Sequence, residues 1–449
     1  MFALAGPVVL AELAWTTMSL VDTFMVGRVG PAAIGAVGLA NILFFTVGIF
    51  GMGLLLGLDT LVSHAFGARR LEECHRCLLH GVYLSLVLAP LLMGLVLGGV
   101  PLVRRMGIHP DVLQPMLPCL KALAWSMAPL LLYASFRRYL QAMNHVRPVM
   151  FALVTANLIN LFGNWVLIYG HLGFRAMGAE GSGWATCWAR VYMAAVLIAY
   201  ALLLDRHEDG GLLRTGFRPD PALFRRILAL GLPASLQLLL EVGVFGAVTA
   251  LAARITPVAL AAHEIALNIA SATYMVPLGV SAAGAVRVGQ ALGRRDTAAA
   301  QRAGWTALAF GAGFMTAAGI VMLIARGAIY RTFTPDARVI AAGVPILFVV
   351  ALVQLFDGSQ VVATGILRGL GNTRTPMLAN LAGHWFLGLP AGYLLTFSLG
   401  WGVVGLWTGL STGLAVVGTV LVSVWARSIA RLRAMDRPPD RVEAAISSR

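Results

Sequence analysis

The carboxylates inside long apolar stretches are the side chains of this sequence with the clearest capacity for chemistry. Glu241 lies in the apolar run 227–251, fifteen positions after Arg226 and thirteen before Arg254. At about 1.5 Å per helical residue it is roughly 20 Å from either arginine, near the middle of a hydrocarbon core about 30 Å thick. An acid at that depth is costly and typically binds a proton or a cation; the alternative is a protonated packing group.

Asp357 is a second acid of this kind. It follows Arg338 by nineteen residues and precedes Arg368 by eleven, so it also lies deep in an apolar run. Two neighbouring carboxylates repel each other unless a positive ion is taken up between them. Glu241 and Asp357 are therefore predicted to form one ion-coupling site in the C-terminal half, for a proton or for Na⁺.

Asp22 is the third acid, and it lies six residues before Arg28, nearer the end of its apolar run. Its predicted neighbours are polar residues of later runs: Asn160, Asn164 and Thr186. Oxygen atoms of these types suit a hard cation. The four residues are predicted to form a second ion-coupling site in the N-terminal half, with an interfacial hydrogen-bonded acid as the alternative.

Composition indicates what kind of protein positions these acids. The 449 residues are 59% hydrophobic and 12% charged, with a mean hydropathy of +0.83. Apolar runs of about twenty residues or more predict membrane-spanning helices rather than barrel strands. The net charge of +14 comes mainly from arginines of short connections, which read as topology signals and not as a nucleic-acid surface. Their bias, more than two to one, predicts that both termini are cytoplasmic.

Twelve spans are predicted, in two related sets of six. Pro7 is matched by Pro233 and Gly67 by Gly293, since 233 − 7 and 293 − 67 are both 226. The predicted fold is an all-α polytopic membrane protein with twelve transmembrane helices in two pseudo-symmetric six-helix bundles around a central cavity. The predicted domains are residues 1–204 and 223–427, with a cytoplasmic linker 205–222 and a cytoplasmic tail 428–449. Pro7 and Pro233 are predicted bending points, because each removes a helical hydrogen bond.

The acids do not follow this repeat. At the offset of 226, Glu241 matches Trp15, and Asp22 matches Val248. The predicted ion sites are therefore additions to a symmetric frame. Aromatic, amide, imidazole and thioether side chains are predicted to line the cavity, with plain packing as the alternative for each: Phe44, Phe45, Gln237, His263, Tyr274, Met275 and Gln354.

The sequence contains no motif that predicts a metal cofactor or enzyme catalysis. Cys74 and Cys77 form one C-x-x-C without a second pair, so a zinc site is not expected. His263 is followed by Glu264, but Leu267 stands where a zinc protease needs its second histidine. The expectation is a protein that is not an enzyme and has no cofactor besides Na⁺ or H⁺ as coupling ion.

Short stretches on several predicted spans together resemble the multidrug and toxic compound extrusion (MATE) family, and most closely its NorM-like bacterial branch. They are Val21-Asp22-Thr23, Ala65-Phe66-Gly67-Ala68, Asn164-Trp165, Leu240-Glu241-Val242, Ala261-Ala262-His263, Val286-Arg287-Val288-Gly289 and Ala363-Thr364-Gly365. The resemblance covers essentially all twelve spans. The chain departs from the branch at Val353, where a tyrosine is frequent, and at Glu264, where glutamine is usual.

The resemblance implies an antiporter of the bacterial inner membrane, which exports organic cations and amphiphilic drugs in exchange for inward Na⁺ or H⁺. It implies a coupling role for Asp22 with Asn160 and Asn164, and for Glu241 with Asp357. The expected partners are the bilayer and small organic cations, with no nucleic acid, and the expected state is a monomer. The alternative is a lipid-linked sugar flippase of the same superfamily, which needs cationic residues facing the cavity; the candidates inside spans are Lys121 and Arg190.

Overall fold

The chain forms long apolar helices. The computed structural model describes residues 2–105, 109–207, 211–212, 215–216 and 218–435. In this part of the chain, ten helices are long and apolar enough to cross a membrane, and a bent helix pair makes an eleventh. The protein is therefore a multi-pass membrane protein.

The first nine helices are α1 Phe2–Gly27, α2 Pro31–Leu54, α3 Gly57–Gly67, α4 Leu71–Gly98, α5 Val100–Arg104, α6 Pro110–Trp125, α7 Met127–Ala142, α8 Val146–Tyr169 and α9 Ala179–His207. A short break at residues 55 and 56 separates α2 from α3. The helices α6 and α7 are bent by 42° where they meet at Ser126. In this region α1 packs mainly on α8, α8 on α9, and α2 on α6.

The remaining helices are α10 Pro221–Ala253, α11 Pro257–Gly293, α12 Thr297–Phe333, α13 Ala337–Gly369, α14 Arg374–Asn380, α15 Leu389–Tyr393 and α16 Gly402–Met435. The π-helical segments Leu381–Gly388 and Leu394–Ser398 flank α15, so residues 374–398 form one irregular helix. It packs closely on α16: a Cβ at Gly409 would lie 2.6 Å from the carbonyl oxygen of Gly388. Glycine at this position allows the two backbones to approach.

Helix starts follow local chemistry. Pro31 and Pro257 stand in the first turn of α2 and α11, where a missing N–H costs nothing. The hydroxyl of Thr256 caps α11 by accepting from the N–H of Ala259 at 3.0 Å. Between α12 and α13, Asp336 caps α13 and accepts from both the side chain and the N–H of Arg338, which lowers the pKa of the Asp336 carboxyl below its usual value.

The internal repeat predicted from sequence is present in the helix bounds. The helix α2 starts at Pro31 and α11 at Pro257; α3 ends at Gly67 and α11 at Gly293. Both pairs are 226 residues apart. After each of these helix ends one arginine adopts a left-handed backbone, Arg69 and Arg295, both at φ 59°. An arginine rarely takes this conformation, so its recurrence at the same offset shows that the two turns share one geometry.

Contacts divide the chain into two compact units. One contains residues 2–66 and 70–240, here called the N-unit. The other, the C-unit, contains residues 67–69 and those from Glu241 onward. The helix α10 therefore contributes to both, and α16 continues to Met435 past the predicted domain end at 427. Residues 208–210, 213–214 and 217 of the predicted linker, and 436–449 of the predicted tail, lie outside the described residues.

Candidate functional site

The N-unit brings Asp22, Asn160, Asn164 and Thr186 into one buried cluster, here called the Asp22 cluster. The Nδ2 atoms of Asn164 and Asn160 donate to Oδ1 of Asp22 at 2.7 and 3.0 Å. The hydroxyl of Thr186 donates to Oδ2 at 2.9 Å. None of the four residues is more than 3% exposed. The neighbours predicted for Asp22 are therefore its contacts, while their role in ion coupling stays a prediction.

Helix geometry explains how residues so distant in sequence meet. Asn160 and Asn164 are four residues apart on α8 and share one face. Gly163 lets α9 come close, because a Cβ there would lie 3.1 Å from the Cβ of Ala185, next to Thr186. Three side-chain donors satisfy the oxygens of the buried Asp22 carboxyl group. The Oδ1 of Asn164 has no hydrogen-bond partner within the described ranges, so the cluster also holds a spare oxygen.

Arg190 adds a positive charge beside this cluster. It lies one turn after Thr186 on α9 and interacts electrostatically with Asp22. Its Nη1 donates to the hydroxyl of Ser126 at 2.5 Å, and its guanidinium carbon lies 4.5 Å from the centre of the Phe44 ring. From the sequence, Arg190 was a candidate only for the flippase alternative. Arg190 follows Thr186 by four residues, and this helical spacing could have predicted its position beside the Asp22 cluster.

The C-unit brings Glu241 of α10 and Asp357 of α13 close enough to interact electrostatically. Tyr274 of α11 interacts with both, and its hydroxyl donates to Oε1 of Glu241 at 2.9 Å. These three residues, here called the Glu241 cluster, are all only half-buried. A carboxylate pair with remaining exposed surface can exchange ions, in contrast to the sealed surroundings of Asp22.

Tyr274 was predicted only as a cavity-lining residue. The resemblance places a frequent tyrosine one turn before Asp357, where this chain has Val353. In the structure a tyrosine hydroxyl reaches the acidic pair from α11 instead. The sequence distance between Tyr274 and Glu241, 33 residues, gives no local pattern that could have indicated this contact.

The other predicted cavity residues differ in exposure. Phe45, Tyr274 and Met275 are half-buried. Four are buried in contacts in this conformation: Phe44, Gln237, His263 and Gln354. His263 accepts from the indole N–H of Trp407 at 3.1 Å and contacts the hydroxyl of Thr249 at 2.8 Å. The side-chain amide of Gln354 donates to the hydroxyl of Thr273 at 3.2 Å.

Ion pairs on α7 were not foreseen. Arg137 pairs with Glu12 of α1, and Arg138 pairs with Asp59 of α3 at 3.4 Å. Trp15, one turn after Glu12, stacks on Tyr133 of α7. The two arginines stand near the C-terminal end of α7. The helix continues to Ala142, so they lie within it, and their charges are used for pairing.

Pro7 and Pro233 lie inside the continuous helices α1 and α10, as expected, and their role in bending stays a prediction. Cys74 and Cys77 are buried free thiols. Within the described ranges no group of three or more histidine, cysteine or acidic side chains could hold a metal ion.

Comparisons with known proteins agree with this architecture. The model of the MatE family matches two separate parts of the chain, residues 7–166 and 233–394. The two matches begin at the two prolines of the repeat, 233 − 7 = 226 residues apart. One family unit therefore occurs twice in the chain.

Similar proteins cover nearly the whole length. A Mesorhizobium japonicum protein with the name "Probable multidrug resistance protein NorM" is 37% identical over 432 residues, 95% of this chain and 92% of that protein. "Multidrug resistance protein NorM" of Photobacterium profundum is 29% identical over 452 residues, 100% of this chain and 97% of that protein.

Solved structures share the fold. The eukaryotic MATE transporter AtDTX14 has a TM-score of 0.84 at 21% identity, covering 97% of each chain. A MOP superfamily transporter from Pyrococcus furiosus has a TM-score of 0.86 at 20% identity, covering 96% of this chain and 95% of that one. The predicted helical membrane fold with two related halves is confirmed.

Proposed function

Because this chain belongs to the MatE family, we propose that it is a secondary antiporter, which exports organic cations and amphiphilic drugs in exchange for inward H⁺ or Na⁺. The observation that carries the proposal is the Glu241 cluster, two carboxylates that interact inside membrane-spanning helices and keep exposed surface. The relatives named multidrug resistance protein support the class of cargo. The proposal includes a bacterial inner membrane, cytoplasmic termini and a monomer.

Transport by this protein is a competition between two kinds of positive charge. When Glu241 and Asp357 are ionised, their charge attracts a lipophilic cation. When a proton or Na⁺ binds, this charge is neutralised and the affinity for the cation falls. The ion needs to change the affinity for the drug by only about 1–3 kcal/mol, the usual size of such coupling.

Tyr274 and Asp22 have separate tasks in this scheme. The Tyr274 hydroxyl orients Glu241, and it can remain a donor to that carboxylate while Asp357 takes the ion. Ion uptake at Asp22 disturbs three hydrogen bonds that connect α1 to α8 and α9. The position of α1 then depends on the occupancy of the Asp22 cluster, and Pro7 provides a point at which this helix can bend.

The direct test uses purified protein in liposomes with ethidium at the same concentration inside and outside. A pH gradient is imposed at symmetric Na⁺, and then a Na⁺ gradient at constant pH. We expect at least one gradient to drive ethidium out against its concentration, and the effective gradient identifies the coupling ion. Absence of uphill export under both gradients, from protein that retains ethidium binding, would refute antiport.

The flippase alternative has less support. A flippase for a pyrophosphate-linked cargo needs cations directed at that cargo, and the candidates were Lys121, which is exposed, and Arg190. Its guanidinium is occupied by the Ser126 hydroxyl, the Phe44 ring and the charge of Asp22. The same proteoliposomes, supplied with a lipid-linked sugar, would reveal flipping if the alternative held.

A further inference from the structure

A groove on the N-unit, separate from both acidic clusters, combines apolar walls with two cations. It is lined by Leu97, Val100, Pro101, Arg104, Lys121 and Trp125, from α4, α5 and α6. Its volume is about 480 Å³. Pockets for small ligands typically measure about 300–1,000 Å³, so the groove is large enough for a headgroup and the first part of an acyl chain.

The charge of this groove is not balanced by the protein. No acid lines it, and neither Arg104 nor Lys121 makes an ion pair in the part of the chain that the structure describes. Both side chains are exposed. A second cavity of about 130 Å³ shows the contrast, because its Arg76 and Arg226 face Glu73 and Asp220, and Arg76 pairs with Asp220 at 3.0 Å.

The depth of Lys121 makes its lack of a partner significant. The span α6–α7 runs from Pro110 to Ala142, which is roughly 50 Å at the helical rise, whereas the hydrocarbon core is about 30 Å thick. With the span centred on the bilayer, the core begins roughly 10 Å from the start of α6, and Lys121, eleven residues or about 17 Å along the helix, lies inside it. An exposed cation at this depth is costly unless it reaches an anion at the interface.

Trp125 completes the features of an interfacial binding site. It is the last residue of α6, directly before the bend at Ser126, and the residue is 59% exposed. Leu97 and Val100 continue the apolar wall on α4 and α5. The cations and the apolar surface therefore belong to one groove, an arrangement suited to a molecule with an anionic head and a hydrocarbon tail.

We propose that this groove binds one anionic phospholipid, with its phosphodiester between Arg104 and Lys121 and one acyl chain along Leu97 and Trp125. A soluble phosphate would use only the cations and leave the apolar wall empty. A zwitterionic lipid would bring a positive group to the two cations. The bound lipid would connect α5 to α6, which contribute one cation each.

The test measures lipid binding to the intact protein by native mass spectrometry, with phosphatidylglycerol and phosphatidylcholine as probes. We expect the wild type to hold one phosphatidylglycerol more tightly than any phosphatidylcholine. Arg104→Gln with Lys121→Gln should weaken that binding about thirtyfold. This factor is the combined contribution expected of two basic residues near an anionic membrane surface. The charge-conserving exchange Arg104→Lys with Lys121→Arg should retain it.

A matched control removes two other exposed cations, Arg175→Gln with Arg331→Gln, and should leave the bound lipid in place. Equal retention of both lipids by the wild type would show a merely apolar groove and overturn the proposal. Displacement of the lipid by inorganic phosphate at constant ionic strength would show a small-anion site and also overturn it. Unchanged lipid binding in the double glutamine variant would do the same.

Discussion

Glu241 and Asp357 carry the proposed coupling because only an acid can lose its charge to an incoming proton or Na⁺. We expect Glu241→Gln and Asp357→Asn each to reduce ethidium efflux at least tenfold, since the neutral amides neither attract the drug cation nor exchange it for an ion. Efflux from cells, normalised to folded protein in the membrane, measures this.

Glu264→Gln provides the matched control, because Glu264 is an acid of the same unit, on α11, that takes no part in the Glu241 cluster. It should retain efflux. If Glu241→Gln and Asp357→Asn both transported at the wild-type rate, the acidic pair would have no coupling role.

Thr186 is the donor of the Asp22 cluster that can be removed with the least change of shape. Thr186→Val deletes one hydrogen bond to the buried Asp22 carboxyl group, and a typical hydrogen bond of this kind is worth about 0.5–1.5 kcal/mol. We expect efflux to fall at least fivefold, while Thr186→Ser, which keeps the hydroxyl, stays near the wild type. Initial rates in proteoliposomes distinguish the two, and equal activity of the valine and serine variants would exclude a role for this hydrogen bond.

Among the helices, α1 is connected to α7 by the ion pair of Glu12 and Arg137, whose side chains are 13% and 8% exposed. Arg137→Met leaves the Glu12 carboxylate without its cation inside the protein, and removing one partner of a buried pair costs about 3–5 kcal/mol. We expect a clearly lower thermal unfolding midpoint for this variant. Adding Glu12→Gln should restore part of the loss, because the buried charge is then removed.

The exposed pair Arg70 and Glu73 serves as the comparison, with side chains at least half exposed. Arg70→Gln should change stability by no more than about 1 kcal/mol. A double variant as unstable as Arg137→Met alone would show that Arg137 acts through packing, and not through its charge.

The same elements show what sequence can predict. Hydropathy predicted the spans, because it depends on local composition. The repeat was predicted because residue types recur at an offset of 226, as at Pro7 and Pro233. The pair of Glu12 and Arg137 joins residues 125 positions apart, and no local pattern contains that contact. The break between α2 and α3 and the π-helical turns after α14 depend on backbone hydrogen bonding, to which hydropathy does not respond.

In the whole molecule, the helices follow the internal repeat, whereas the acids of the two clusters do not. The helix bounds and the left-handed turns at Arg69 and Arg295 recur at one offset, whereas Trp15 and Val248 occupy the sequence positions equivalent to Glu241 and Asp22. A symmetric frame supplies two similar helix bundles, and the acids make the two units chemically different. In the N-unit, Asp22 is buried and accepts hydrogen bonds from three donors. In the C-unit, Glu241 and Asp357 are half-buried.

This asymmetry leads to a prediction about linkage. If a drug cation and the coupling ion compete for the charge of the Glu241 cluster, each must weaken the binding of the other by the same factor. We expect the dissociation constant of tetraphenylphosphonium to rise by about 5–150-fold between ion-free and ion-saturated protein. Calorimetry measures it at a series of Na⁺ concentrations and of pH values. Asp357→Asn should abolish this dependence and Thr186→Val should preserve most of it, because the competing charge lies in the C-unit; drug binding independent of both ions in the wild type would contradict a shared site.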